Sequence, residues 1–279
     1  MEGTTETPPR CAVPPAASAK DPAVLAFLRD TLALAEVELR KLGRDPLELL
    51  TRAIQPALWL LIFGQVFGRI KAIPTGNQSY LTFMVPGILA QSVLFIAFFY
   101  GISVIWERDL GILQKLLVTP APRSALVLGK AMSAGVRGLS QGFIIYLLAL
   151  TLQIPLRFKV GAIVAVAGFI ILGSALFSTF SLAVACLVRT RERFMGIGQV
   201  LTMPLFFTSN AIYPLSIMPP WLRALAKANP LSYQVDALRV LMVQGGQSIF
   251  GLGKDFTVLL IILVLLVLTT ARLYPNVVR

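Results

Sequence analysis

The sequence predicts an all-α integral membrane protein with six transmembrane helices. Three observations lead there. Hydrophobic residues make up 56% of the 279 residues and charged residues only 14%, where a soluble domain carries about a quarter charged. Six apolar stretches approach the ~20 residues that a helix needs to cross a ~30 Å hydrocarbon core. They lie at roughly 48–68, 81–105, 131–153, 160–188, 194–213 and 255–273. Finally, the basic residues are unevenly shared between alternate loops, as the positive-inside rule requires. An even number of spans puts both chain ends on one side. That side holds Arg10, Lys20, Arg29, Arg40, Lys41, Arg44 and Arg52, then Arg108, Lys115, Arg123 and Lys130, then Arg189, Arg191 and Arg193, then Arg272 and Arg279. It is read as cytoplasmic.

Residues 1–20, MEGTTETPPRCAVPPAASAK, carry four prolines and no apolar signal-peptide core; they are expected to form a disordered tail. Residues 21–46 follow as an amphipathic interface helix. Asp21 caps it with Pro22 at the first position, and Leu25, Leu28, Leu32, Ala35, Leu39 and Leu42 share one face beside Arg29, Glu36 and Arg40. Phe27, Leu34 and Val37 interrupt that pattern. Charges throughout place this helix along the membrane surface. Residues 47–279 comprise the six-span domain.

Two segments of that domain stand out. The first, ERDLGILQKLLVTPAPRSALVLGK at 107–130, joins the second and third spans. Leu110, Leu113 and Leu117 recur at i, i+3 and i+7, and Pro120 stops the helix. Lying on lipid headgroups, capping the bundle and entering a groove on a soluble partner all fit this periodicity. The second segment, at about 214–250, is apolar but broken. Pro219 and Pro220 open one short helix, Asn229 and Pro230 open another, and Gly245 and Gly246 end it. Neither helix is long enough to span. They either dip back into the outer leaflet against protein or lie flat on it.

The chemistry available is sparse. There is no histidine, which removes the commonest general base and metal ligand, so no catalytic residue and no metal site are expected. Cys11 and Cys186 lie in a Pro-rich tail and an apolar run, a poor basis for a disulfide. A net charge of +12 follows from cytoplasmic Lys and Arg, and no aromatic-plus-basic pattern points to nucleic acid. No acid falls in the middle of a span, which argues against an ion-coupled carrier. The nearest approach to a P-loop, SIFGLGKD at 248–255, has Ser248 for the first glycine and Asp255 where a hydroxyl should hold magnesium. Among intramembrane polar and aromatic residues, Gln55, Phe206, Phe207 and Asn210 are candidates for a substrate path; helix-to-helix packing is the competing role.

The two unusual segments together resemble the ABC-2 type transporter permeases, the transmembrane subunits of ABC transporters, and in particular their daunorubicin-resistance-like branch. Glu107, Arg108, Gly111, Leu113, Leu116, Leu117, Val118, Thr119 and Pro120 match the family's E-R-x-x-G loop. Trp221, Leu222, Asn229, Pro230, Leu231, Tyr233, Asp236, Leu238 and Arg239 match its L-P-x-W-L and N-P-L-T-Y-x-x-D-x-L-R stretch, with Ser232 for the threonine. The resemblance implies a coupling helix at about 107–120, with Glu107, Arg108, Gly111, Leu113, Leu116, Leu117, Thr119 and Pro120 meeting a nucleotide-binding subunit. It also implies outer re-entrant helices in which Trp221, Asn229, Pro230, Tyr233, Asp236 and Arg239 are structural. Two ATP-binding subunits, carrying ATP and magnesium, would serve two permeases in a prokaryotic cell membrane, with no cofactor on this chain. The second permease is expected to be identical, and the cargo a hydrophobic or amphipathic molecule, lipid, glycolipid or drug. Asp236 and Arg239, at i and i+3, have the spacing of a local ion pair.

Overall fold

The structure, a computed structural model, describes residues 51, 54–70, 73, 78–110, 123–188 and 190–273. The tail at 1–20, the interface helix at 21–46 and most of the 107–120 segment lie outside the described residues. Among the described residues the regular elements are helical, and the one extended feature is an isolated bridge between Leu156 and Val243.

Helix α1 covers 54–70 and contains a π-helical turn at Trp59–Gly64 followed by Gln65–Ile70. Helix α2, Tyr80–Tyr100, begins where the Ser79 hydroxyl accepts the Thr82 N–H at 3.1 Å, satisfying one of the four donors that a helix start leaves open. Through Gly101 it runs into α3, Ile102–Asp109. Then come α4, Arg123–Thr151, α5, Val160–Leu187, and α6, Arg191–Phe207. A single 3-10 turn at Leu215–Ile217 leads to α7, Pro220–Ala228, and α8, Pro230–Met242. The last helix, α9, is Leu252–Leu273.

Among the described residues four helical stretches are long and apolar enough to cross a membrane: Tyr80–Asp109, Val127–Thr151, Val160–Leu187 and Leu252–Leu273. The sequence reading expects six spans. The expected first span is helical over 54–70, and its beginning lies outside the described residues. The expected fifth, at 194–213, is the 17-residue α6, which starts with Arg191, Glu192 and Arg193 and ends at Phe207. It stops early because the Ser209 hydroxyl bonds the Phe206 carbonyl at 2.7 Å and receives the Ala211 N–H at 3.3 Å. These local bonds compete with the next helical turn.

The loops sort into two ends. At one, Arg157 N–H donates to the Met242 carbonyl at 2.7 Å, Gln244 Nε2 to the Leu156 carbonyl at 3.1 Å, and the Tyr80 hydroxyl to the Ile212 carbonyl at 3.1 Å. At the other, Asp109, Lys130, Val188 and Arg191 come together around the end of α3. Helix α8 is not a surface helix: it packs against α2, α5 and α9, and ten of its 13 residues are buried.

Small residues allow this density. A side chain at Gly87 would overlap the Ala211 backbone, and one at Gly173 would overlap the Gln234 amide. Gly168, in the middle of α5, meets nothing within 4 Å. Gly87→Ala should therefore lower the thermal midpoint in detergent, at a cost of about 1–3 kcal/mol for overpacking against rigid backbone. Gly168→Ala should leave the midpoint unchanged or raise it slightly. Equal midpoints for the two variants would contradict the packing described.

Candidate functional site

The end of α3 carries Glu107, Arg108 and Asp109, the only charged residues of the 30-residue stretch Tyr80–Asp109 and its last three. Each is anchored to a different helix. Lys130, on α4, donates to both Glu107 oxygens at 2.6 and 2.5 Å, and both side chains are partly buried. Arg108 reaches the Val188 carbonyl at 3.4 Å, at the end of α5, and Asp109 at 3.2 Å. Arg191, at the start of α6, donates to Asp109 at 2.8 Å while its guanidinium lies 3.6 Å from the Trp106 ring centroid. The charged base of the 107–120 segment is thus clamped to α4, α5 and α6. Gly111, Leu113, Leu116, Leu117, Thr119 and Pro120 lie outside the described residues.

A second cluster surrounds α8. Asn229 caps the helix, its Oδ1 accepting the Leu231 N–H at 2.9 Å, with Pro230 at the first position. Its Nδ2 donates to the Leu205 carbonyl at 2.6 Å and the Thr208 hydroxyl at 3.0 Å, at the end of α6. The Tyr233 hydroxyl closes onto the Lys227 carbonyl at 2.7 Å. Asp236 and Arg239 do not form the local pair that their spacing suggests. Asp236 accepts the Ser248 hydroxyl at 2.6 Å and the N–H groups of Ile249 and Phe250 at 3.0 Å. Arg239 donates to the Asn210 carbonyl at 2.7 Å, and its guanidinium lies 3.9 Å from the Phe83 ring centroid. In a buried helix each charge takes the donors or acceptors that tertiary neighbours offer, and helical spacing is overridden. Trp221, on α7, is 66% exposed beside this network.

The candidate path residues do not share one surface. Gln55 lines a cleft of about 540 Å³ with Phe95, Phe99, Tyr100, Ser103 and Arg137, a size common for ligand sites. Arg137 sits midway along α4, 5.0 Å from the Tyr100 ring centroid. Phe206 is fully buried, edge-on to Trp59 at 5.6 Å, whereas Phe207 is exposed. Asn210 is buried in the α8 cluster. Lys130, Trp106 and Arg191 were not singled out from sequence, because Lys130 and Arg191 meet partners 23 and 82 residues away and no local spacing marks such pairs.

A bundle of apolar helices, knotted at one end by surface charge and at the other by a buried short helix, is the membrane domain of a polytopic protein. The chain belongs to the ABC-2 type transporter family, whose profile matches residues 29–243. It is 32% identical over 218 residues to a Cyanophora paradoxa protein named as a transport permease, ycf38, covering 77% of this chain and 74% of that one. It is 26% identical over 240 residues to the daunorubicin resistance ABC transporter permease protein DrrB1 of Streptomyces coeruleorubidus, covering 83% and 81%. It is also 26% identical over 195 residues to the inner membrane transport permease YadH of Escherichia coli K12, covering 67% and 73%.

The two ion pairs at the end of α3 should differ in strength. A double-mutant cycle of Glu107→Gln with Lys130→Met is expected to give a coupling energy of about 1.5–3 kcal/mol, as for charged hydrogen bonds shielded from water. The Asp109→Asn and Arg191→Met cycle should give a clearly smaller coupling, because both partners are solvated. Unfolding midpoints in detergent measure both, and the reverse order would refute the assignment of strength by burial.

Proposed function

We propose that the chain is the transmembrane permease subunit of an ATP-driven ABC-2 exporter, moving a hydrophobic or amphipathic cargo out of the cytoplasm or inner leaflet. The observation that carries this reading is the charged end of α3, tied to three helices, at the base of a segment that resembles the family's coupling helix. A docking surface for a soluble motor needs such an anchorage, since a push on an untethered loop would not reach the bundle. The permease has six spans, both termini in the cytoplasm, and α7 and α8 as outer re-entrant helices in a prokaryotic cell membrane. It is not itself an enzyme. ATP and magnesium bind the nucleotide-binding subunits, two per complex.

A second, identical permease completes the path. The exposed apolar faces of α1 (Leu58, Leu61, Ile62) and α6 (Met195, Ile197, Val200) support this. Of the glycines on these helices, Gly64 and Gly198 already meet Leu81 and Phe98 inside the subunit, whereas Gly68 and Gly196 meet nothing within 4 Å and suit a close helix approach. A polysaccharide or lipo-oligosaccharide cargo is the second reading, favoured by a cleft lined by the amides of Gln55 and Gln141 and the Ser92 hydroxyl.

Leu113→Asp and Leu116→Asp should each reduce co-purification of the nucleotide-binding subunit at least about tenfold, since a charge in an apolar groove leaves it desolvated and unpaired. Normal assembly and transport by both variants would sink the coupling assignment. Cargo class is read from ATP turnover in nanodiscs against lipids, glycolipids and cationic drugs. Stimulation only by an ion or a small polar solute would refute the amphiphile reading. Gly196→Leu should weaken permease pairing while leaving the subunit's own thermal midpoint within about a degree, because that position is open within the chain.

A further inference from the structure

Helix α2 is buried along almost its whole length, and the interruption has a pattern. Between Thr82 and Tyr100, only Ser92, Phe95, Ile96, Phe99 and Tyr100 are not buried. They recur at i, i+3, i+4, i+7 and i+8, which is one stripe of a helix. The stripe meets Gln55 of α1 and Arg137 and Gln141 of α4 in two adjoining parts of one cleft, of about 540 and 260 Å³. Gln55, Phe95 and Ile96 line both parts.

Two donors on α4 give the cleft its chemistry. Arg137 and Gln141 stand four residues apart and share one face of the helix. The neighbouring face, at Gly135, Gly138 and Gly142, is pressed against Ile170, Ile171 and Ser174 of α5. Arg137 lies inside the membrane-crossing stretch Val127–Thr151, where a charge is costly and marks a functional position. Its contact with the Tyr100 ring, at 5.0 Å, engages the positive charge and not the N–H edges of the guanidinium. Those edges form a fork that fits two oxygens of one anion. Gln141 is 1% exposed, yet its Nε2 has no acceptor among the described residues. Buried donors in proteins are as a rule paired, and an oxygen of a ligand in the smaller part of the cleft supplies the missing acceptor.

The walls set the rest of the ligand. Among the described residues no Asp or Glu lines either part, and Glu107, one turn beyond Ser103, is held by Lys130. A cation in the cleft therefore meets Arg137 and no described counter-charge. Phe95, Ile96 and Phe99 present apolar surface beside the donors. We propose that this cleft binds the anionic headgroup of an amphiphile, a phosphate or carboxylate held by Arg137 and Gln141, with its hydrocarbon chain along Phe95, Ile96 and Phe99. The binding stands on these residues alone. That the bound amphiphile is cargo rests on the exporter reading, and it narrows that cargo to acidic amphiphiles.

Binding and transport are measured apart. The purified full chain, without a nucleotide-binding subunit, is titrated in neutral detergent with dioleoyl phosphatidic acid, dioleoylglycerol, inorganic phosphate and dodecyltrimethylammonium. Phosphatidic acid should bind at least about tenfold more tightly than dioleoylglycerol, since the two differ only in the anionic group. Arg137→Gln should remove that preference. Arg137→Lys, which keeps the charge and loses the fork, should restore only part of it. Gln141→Leu should weaken phosphatidic acid at least about threefold and leave dioleoylglycerol unchanged, and it carries the test if the Arg137 variants fold poorly. Equal affinity for phosphatidic acid and dioleoylglycerol, or a preference that survives in both Arg137→Gln and Gln141→Leu, overturns the proposal. So does inorganic phosphate that displaces phosphatidic acid at equal concentration, which would make the ligand a free anion. Tighter binding of dodecyltrimethylammonium overturns it as well. Phosphatidic acid that binds as expected but does not raise ATP turnover by the complete transporter upholds the site and refutes its cargo role.

Discussion

A buried backbone must find its hydrogen-bond partners inside the protein, and this requirement shapes the part of the bundle around α8. At 13 residues, or about 20 Å at the helical rise, α8 is too short to cross a ~30 Å core. Yet it is packed among helices that are long enough. Its ends therefore cannot rely on water. Asn229 satisfies the first turn. At the last turn the Arg239 carbonyl takes the Val243 N–H, and the Met242 carbonyl takes the Arg157 N–H. Each solution brings in another segment: the end of α6 through Asn229, the 152–159 loop through Arg157, the 243–251 turn through Asp236. The short helix is thus a shared attachment point for these loops. Its buried charged side chains, Asp236 and Arg239, hold the 248–250 turn and the Asn210 carbonyl.

Much of the architecture was legible in local sequence. The helix from 160 was anticipated to within a residue at its far end, since an unbroken apolar run bounded by charged or polar residues has few alternatives. The start of α8 at Asn229–Pro230 followed from a capping side chain and a proline at the first position, both of which act over one turn. The end of α6 was only partly legible. Reading the span to residue 213 carries it across the polar triplet Thr208, Ser209 and Asn210, where the side-chain bonds of Ser209 and the bond from Asn229 to the Leu205 carbonyl accompany the end of the helix at Phe207. The i, i+3 spacing of Asp236 and Arg239 was misleading for a related reason. A helical pair is favoured on a solvated surface, but a buried helix supplies stronger competing partners from other elements.

The 107–130 segment shows the same division. Its motif and amphipathic period mark the residues, while their anchors are found only in three dimensions. Glu107 meets Lys130 from within the same segment, but Asp109 meets Arg191 across two apolar helices. A carboxylate and a guanidinium that far apart in sequence carry no mutual signature. The Trp106 ring adds a second attachment for the same guanidinium, and such a stacked cation gains more than an ion pair alone at an exposed site.

Helix α6 connects the two charged clusters physically. Its first residue, Arg191, is gripped by Asp109 and Trp106, and its final turn is pinned by Asn229 through Leu205 and Thr208. Between these ends it makes limited contact with the rest of the bundle, and Met195, Ile197 and Val200 stand exposed. Held at both ends, α6 links the α3 end to Asn229 and, through it, to the cap of α8. The helices packed along their length, α4 against α5 and α5 against α9, have interdigitated side chains. The chain therefore joins a stiff, well-packed core to one loosely packed helix that spans the distance between its surface charges and its buried ones.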